Sequence, residues 1–228
     1  MPVNLRLALT VFKIGFLAES ASGFFALLTG ASHLPFHGYL LLLSPVFSAV
    51  GILLLYVGRH EWNEVHARRV RFVGAAFAVN LIAIGLAAVP IAYLTLTGAA
   101  ATSPTWEVVF GASVAVVFGI TFVTYALVAA HLVGRSGEIA MGLGLAWSLV
   151  VSAFIGIALS PQLRPLVQSI AARSPALGAV TSPITLFDGL LGFSYLAFFV
   201  AFADAHYRVA RGLDPTGAPV AVRPAAPR

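Results

Sequence analysis

Glu19 is the residue most able to do chemistry in this chain. It stands near the middle of an apolar stretch running from Leu5 to Leu28. A carboxylate at that depth costs at least ~2.5 kcal/mol on insertion scales, so it should face other helices and have a partner. It shares a helical face with Gly15, Ser22 and Ala26. Burial favours its protonated form. The chemistry on offer is proton or cation handling, and the plainer alternative is a packing hydrogen bond to Asn80, Ser148 or Ser152. Lys13 lies six residues earlier, about 120° around the helix, and is expected to snorkel toward the nearer end.

The other acids and the histidines fall near the ends of apolar blocks. Glu107 and Asp188 are expected in the first turns of their helices, where the helix dipole favours an acid, and together would form an acidic outer vestibule. Asp204 is placed to pair with Arg208 at i+4. His60, His66, His131 and His206 all fall toward one side of the chain's topology, and His33 and His37 flank a loop on the other. A b-type haem needs two axial imidazoles from facing helices, and His131 with His206 is the natural pair. Histidines at helix C-termini are also favoured electrostatically without any ligand.

The segment Arg59–Arg69 is the most polar stretch. A zinc-protease helix needs its second histidine at i+4, whereas His60 and His66 are six apart. His60 and Glu64 would share a face on a helix, giving a loose metal site. The alternative is a helical connector in which Trp62 anchors at headgroup level and Glu64 pairs with Arg68. There Arg59, Arg68, Arg69 and Arg71 fix topology and touch anionic lipid. Gly111-Ala112-Ser113 resembles the start of the Gly-x-Ser-Gly motif of rhomboid intramembrane proteases. Val114 stands where that family has Gly, and the last apolar block holds no mid-membrane histidine as base. A serine without a base is not an activated nucleophile, so no catalytic set is assigned.

The elements that position these residues follow from composition. Of 228 residues 60% are hydrophobic and 9% charged, with no cysteine. Soluble domains carry roughly 25% charged residues. An ordinary soluble enzyme, a disordered chain and a nucleic-acid binder are thereby excluded, as are disulfide and thiolate chemistry. A spanning helix needs roughly 20 apolar residues. Six blocks satisfy this: 5–28, 36–58, 72–96, 106–133, 139–159 and 184–207. The fold expected is an all-α integral membrane bundle of six transmembrane helices over residues 1–213, followed by a disordered Pro/Ala-rich tail at 214–228. With six spans, eleven Lys or Arg residues fall on the side holding both termini and only Arg164 and Arg173 on the other. Both termini are therefore expected to be cytoplasmic, in the cell membrane.

Small residues predict where helices meet. The first span has Ala8, Gly15 and Ser22, the fourth Gly111, Ala115 and Gly119, the fifth Gly142, Ala146, Ala153 and Gly156, and the sixth Gly189, Ala197, Ala201 and Ala205. Pro45 and Pro90 predict kinks in the second and third spans. Val57-Gly58-Arg59 and Val133-Gly134-Arg135 are an echo consistent with duplicated helical hairpins or with chance. A short helix or an irregular loop is expected between the fifth and sixth spans, at 160–183. The functional expectation is a small solute or ion transporter, or a transport component, with Glu19 as its coupling site. The alternative is a non-catalytic membrane subunit of a larger complex, respiratory and haem-containing in one form. The partners expected are the lipid bilayer, a homo-oligomer or complex subunits, and no nucleic acid.

Overall fold

A computed structural model describes residues 2–29, 47–75, 77–78, 82, 121–159, 169 and 183–220. Within them the chain forms α1 (Val3–Thr29), α2 (Phe47–Val57), α3 (64–75), α4 (121–129), α5 (Arg135–Leu159) and α6 (Pro183–Arg211). Among the described residues the architecture is all-helical, and one isolated bridge pairs Leu213 with Pro219. Among the described residues three helices are long and apolar enough to cross a bilayer, over Val3–Phe25, Arg135–Ala153 and Gly189–Arg211. The expected spans 36–58, 72–96 and 106–133 fall partly outside the described residues. Pro45, Pro90, the Gly111–Gly119 seam, Ser113 and nearly all of 160–183 lie outside them too.

Pairwise contacts set the helix directions. Phe47 faces Gly15 and Phe12 faces Gly51, while Asn4 reaches the turn after α2, so α1 and α2 run antiparallel. Leu27 meets Gly189 and Phe12 meets Phe202, so α1 and α6 are antiparallel. Gly137 lies by Asp204 and Trp147 by Leu190, so α5 and α6 are antiparallel. Among the described residues α6 packs against both α1 and α5, and the backbones of those two do not approach each other closely. Its first side chains, 183–188, are outside the description.

The core is aromatic. Phe12 and Phe16 of α1, Phe122 and Tyr125 of α4, and Tyr195, Phe198 and Phe202 of α6 interlock. Ring centroids lie 4.7 Å apart for Phe16–Tyr125 and 5.0 Å for Phe16–Phe202, within the range where edge-to-face pairs add ~0.5–1.5 kcal/mol beyond burial. The Ser48 hydroxyl hydrogen-bonds the Tyr125 phenol at 2.7 Å, tying α2 to this cluster. Small residues permit the approach: a β-carbon at Gly51 would come within 2.7 Å of the Phe12 ring.

The expected seam on α1 is buried, with Ala8, Gly15, Glu19 and Ser22 all on the packed side. On α6, Gly189, Ala201 and Ala205 are buried as expected. The α5 seam is a correction. Gly142, Ala146 and Ala153 are exposed, and Gly144, Ser148 and Val151 are buried instead. The physical reason is Gly144, which lets α5 settle directly onto Ala197 and Phe198 of α6.

Helix ends explain the turns. The expected helical connector at 59–69 is a second correction: 58–63 is a turn, and α3 begins at 64. The Asn63 carboxamide oxygen accepts the His66 N–H at 2.8 Å, an N-cap that starts a new helix rather than continuing α2. α6 ends in a paired closure, Leu213 N–H to the Arg208 carbonyl and Gly212 N–H to the Val209 carbonyl. Gly212 takes φ 69°, which suits glycine. The tail expected to be disordered is folded through 220. The Asp214 carboxylate accepts from Thr216 N–H, the Thr216 hydroxyl and Ala218 N–H, and Val220 packs against the core.

Candidate functional site

Glu19 is only 4% exposed, one turn beyond Phe16 of the aromatic core. Ser20 and Ser22 beside it are buried as well. On one side the Ser20 carbonyl lies against Gly192 of α6, close enough that a β-carbon there would come within 3.3 Å. The structure separates Glu19 from two of its expected partners. Ser148 donates its hydroxyl to the Leu145 carbonyl of its own helix at 2.7 Å, and Ser152 is half-buried on α5, whose backbone does not approach that of α1 closely. Asn80 and Glu107 lie outside the described residues. Asp188 is within α6, its side chain outside the description.

A second polar group gathers where α1, α3 and α5 begin and α2, α4 and α6 end. Three carboxylates there act as caps. Glu61 accepts the backbone N–H groups of Asn4 (2.9 Å) and Leu5 (3.3 Å) and the Asn4 carboxamide (2.6 Å). It thereby satisfies donors that a helix start otherwise leaves open, at the positive end of the dipole. Asp204 accepts the Gly134 N–H at 2.6 Å, which ties the start of α5 to the end of α6, and pairs with Arg208 at 3.2 Å as its spacing predicted. Asp214 organises its own turn. Val57-Gly58-Arg59 leaves the end of α2 and Val133-Gly134-Arg135 leads into the start of α5, both at this end.

His66 and His131 form the centre of this end. His66 lies in the first turn of α3 and His131 occupies the turn after α4. Nδ1 of His66 and Nε2 of His131 are 2.7 Å apart, and the ring centroids 5.0 Å. His66 is wholly buried and His131 8% exposed. Such a bond requires complementary tautomers, one ring presenting N–H and the other a lone pair. Among the described residues the two outer nitrogens, His66 Nε2 and His131 Nδ1, have no hydrogen-bond partner. Burial holds the pKa of both rings well below the usual histidine range. At His131 the neighbouring His66 and then Arg69 push further in the same direction.

This pairing corrects several expectations. His131 meets His66 rather than His206, and His206 meets the Lys13 ammonium through Nδ1. Lys13 is thus half-buried against α6 rather than simply snorkelling. His60 lies in the turn before α3, so the shared helical face with Glu64 does not exist; both are exposed. Among the described residues no three His, Cys, Asp or Glu side chains cluster as a metal would need. Trp62 is 2% exposed and belongs to the core rather than to the headgroups, because the turn folds it inward. Arg59 stacks over Tyr56 at 4.4 Å, and Arg68, Arg69 and Arg71 are exposed. Glu61 and His66 are the residues that sequence reasoning missed. Asn63, an N-cap residue type three positions before His66, is the local signal that could have marked the start of α3 there, and Glu61 has none. No family, no curated protein and no solved structure matches the chain.

Proposed function

We propose that this chain is a six-span integral membrane protein of the cell membrane, with both termini cytoplasmic, that moves a small solute or ion or serves as a component of such a transporter. Glu19 is its protonatable coupling group. The observation that carries this reading is the near-complete burial of that carboxylate in a helix apolar enough to cross a bilayer. An ionisable side chain at membrane depth points to an ion or substrate pathway by default. The up-and-down arrangement supports six spans, since every described odd helix begins, and every even one ends, at the same end. The arginines at that end support its cytoplasmic assignment.

The test uses protons as the probe. Proteoliposomes loaded with a pH-sensitive dye receive a potassium diffusion potential through valinomycin. Wild-type protein is expected to acidify the lumen and Glu19→Gln is expected not to. Equal acidification by both, or none by the wild type, overturns the assignment.

The second reading, a non-catalytic subunit of a larger complex, is supported by α5. It packs on α6 along one face and leaves Ile139, Leu143, Leu149 and Val150 more than half exposed. Purification in mild detergent with mass spectrometry of associated chains tests it, and an absorption spectrum of the same sample reports on haem.

A further inference from the structure

The described arginines all lie within roughly two helical turns of one end of the bundle. The carboxylates of that end are largely turned to other uses. Glu61 holds the start of α1, Asp204 holds Gly134 and Arg208, and Asp214 holds its own turn. Among the described residues Arg68, Arg69, Arg71, Arg135 and Arg211 have no ion-pair partner. All five are exposed. This end therefore carries five exposed guanidinium groups beside two exposed carboxylates, Glu64 and Glu138, and keeps an excess of positive charge.

Arg211, one of these five, and the half-buried Arg59, which also donates to the Tyr56 carbonyl at 2.8 Å, both stack on a tyrosine one turn back along the chain. Arg59 lies over the Tyr56 ring at 4.4 Å and Arg211 over Tyr207 at 4.5 Å. Both rings are about half exposed, at 49% and 52%. A guanidinium stacked on an aromatic face keeps donors on its edge, and that planar fork matches phosphate oxygens two at a time. Stacking also removes side-chain freedom before any ligand arrives. One clamp closes the last turn of α2, the other the last turn of α6.

The surface next to each clamp identifies the partner. One turn further into α2 from Tyr56 stands Leu53, 62% exposed, with Val57 at 59% beside the ring, and two turns further into α6 from Tyr207 stands Val200 at 47%. A soluble polyanion would meet the guanidiniums and leave this apolar wall bare. An anionic bilayer leaflet covers both, with tyrosines at headgroup level. We infer that the Tyr56–Arg59 and Tyr207–Arg211 pairs are headgroup clamps that bind the phosphates of anionic phospholipid and seat the bundle in an anionic leaflet. This inference rests on the membrane reading above.

The experiment is native mass spectrometry of the full chain in neutral detergent with equal phosphatidylglycerol and phosphatidylcholine. Wild type is expected to retain phosphatidylglycerol preferentially. Arg59→Gln with Arg211→Gln is expected to reduce that preference by roughly fivefold for each guanidinium removed. Tyr56→Leu with Tyr207→Leu, which keeps both charges, is expected to reduce it by a smaller factor. Equal retention of the two lipids by wild type, or an unchanged preference in the arginine variant, overturns the clamps while leaving the membrane reading intact. Displacement of phosphatidylglycerol by 10-fold excess inorganic phosphate also overturns them in favour of a free-phosphate site. A chain recovered from cells in the aqueous supernatant overturns the membrane reading, and the clamps with it. Arg59→Lys with Arg211→Lys serves as the folding control, since it preserves charge and is expected to keep partial preference.

Discussion

Acid should loosen the bundle at the histidine pair before it affects the rest of the molecule. Burial holds His66 at a pKa of about 4, below the ordinary histidine value of 6.5. Its folded pKa is thus depressed relative to the unfolded chain. The unfolded state takes up the proton first, so the pair's contribution is complete above about pH 6.5 and is lost as pH falls toward about 4. The two rings share one hydrogen bond and titrate as a unit, so a single proton is counted. At ~1.4 kcal/mol per pKa unit the loss across that window is on the order of 3 kcal/mol. For a chain of this length that corresponds to roughly 10 °C in Tm. Thermal unfolding in detergent, followed by circular dichroism between pH 7.5 and pH 4, measures it. The comparison is His66→Asn with His131→Gln, which preserves a donor and an acceptor but cannot titrate in this range. Wild type should lose stability from about pH 6.5 downward, by on the order of 3 kcal/mol more than the double variant, whose remaining titratable groups are the same. Superimposable pH profiles would refute the buried, neutral pair.

Two further outcomes follow from helix ends and close approach. Glu61→Ala removes a carboxylate that holds the first N–H groups of α1, and should cost about 1–2 kcal/mol; hydrogen exchange should quicken at Asn4 and Leu5 before it does in α6. Gly51→Val drives a side chain into the Phe12 ring and should cost about 1–3 kcal/mol by overpacking, read as a lower Tm, with Phe12→Leu restoring part of the loss.

The sequence makes some parts of this molecule readable and hides others for definite reasons. Helical character, the three long apolar helices and the buried side of α1 follow from local composition and the 3.6-residue period. So does Asp204–Arg208, because its partners are one turn apart. His66 and His131 are 65 positions apart, and no periodicity connects the start of one helix with the turn after another. Trp62 is misread for a related reason. An amphipathic residue in a polar segment suits either an interface or a core, and the direction of a turn decides. On α5, small residues occupy two stripes, and spacing alone does not say which meets α6. Glu61 looks like any acid of a charged loop until the first residues of α1 are beside it.

The packing of α6 against both α1 and α5 has a consequence for biogenesis. The helix that joins α1 to α5 is made after both of them. Synthesis proceeds at about 5–20 residues per second, so the more than 150 residues separating α1 from α6 take on the order of 10–30 s to appear. During that interval the α6-facing surface of α1, including Phe24, has only lipid or an insertion chaperone to cover it, while Phe16 can already meet Tyr125 of α4. A ribosome that stops before residue 183 releases a chain whose first helix never receives that partner, and quality control should recognise it by that uncovered face.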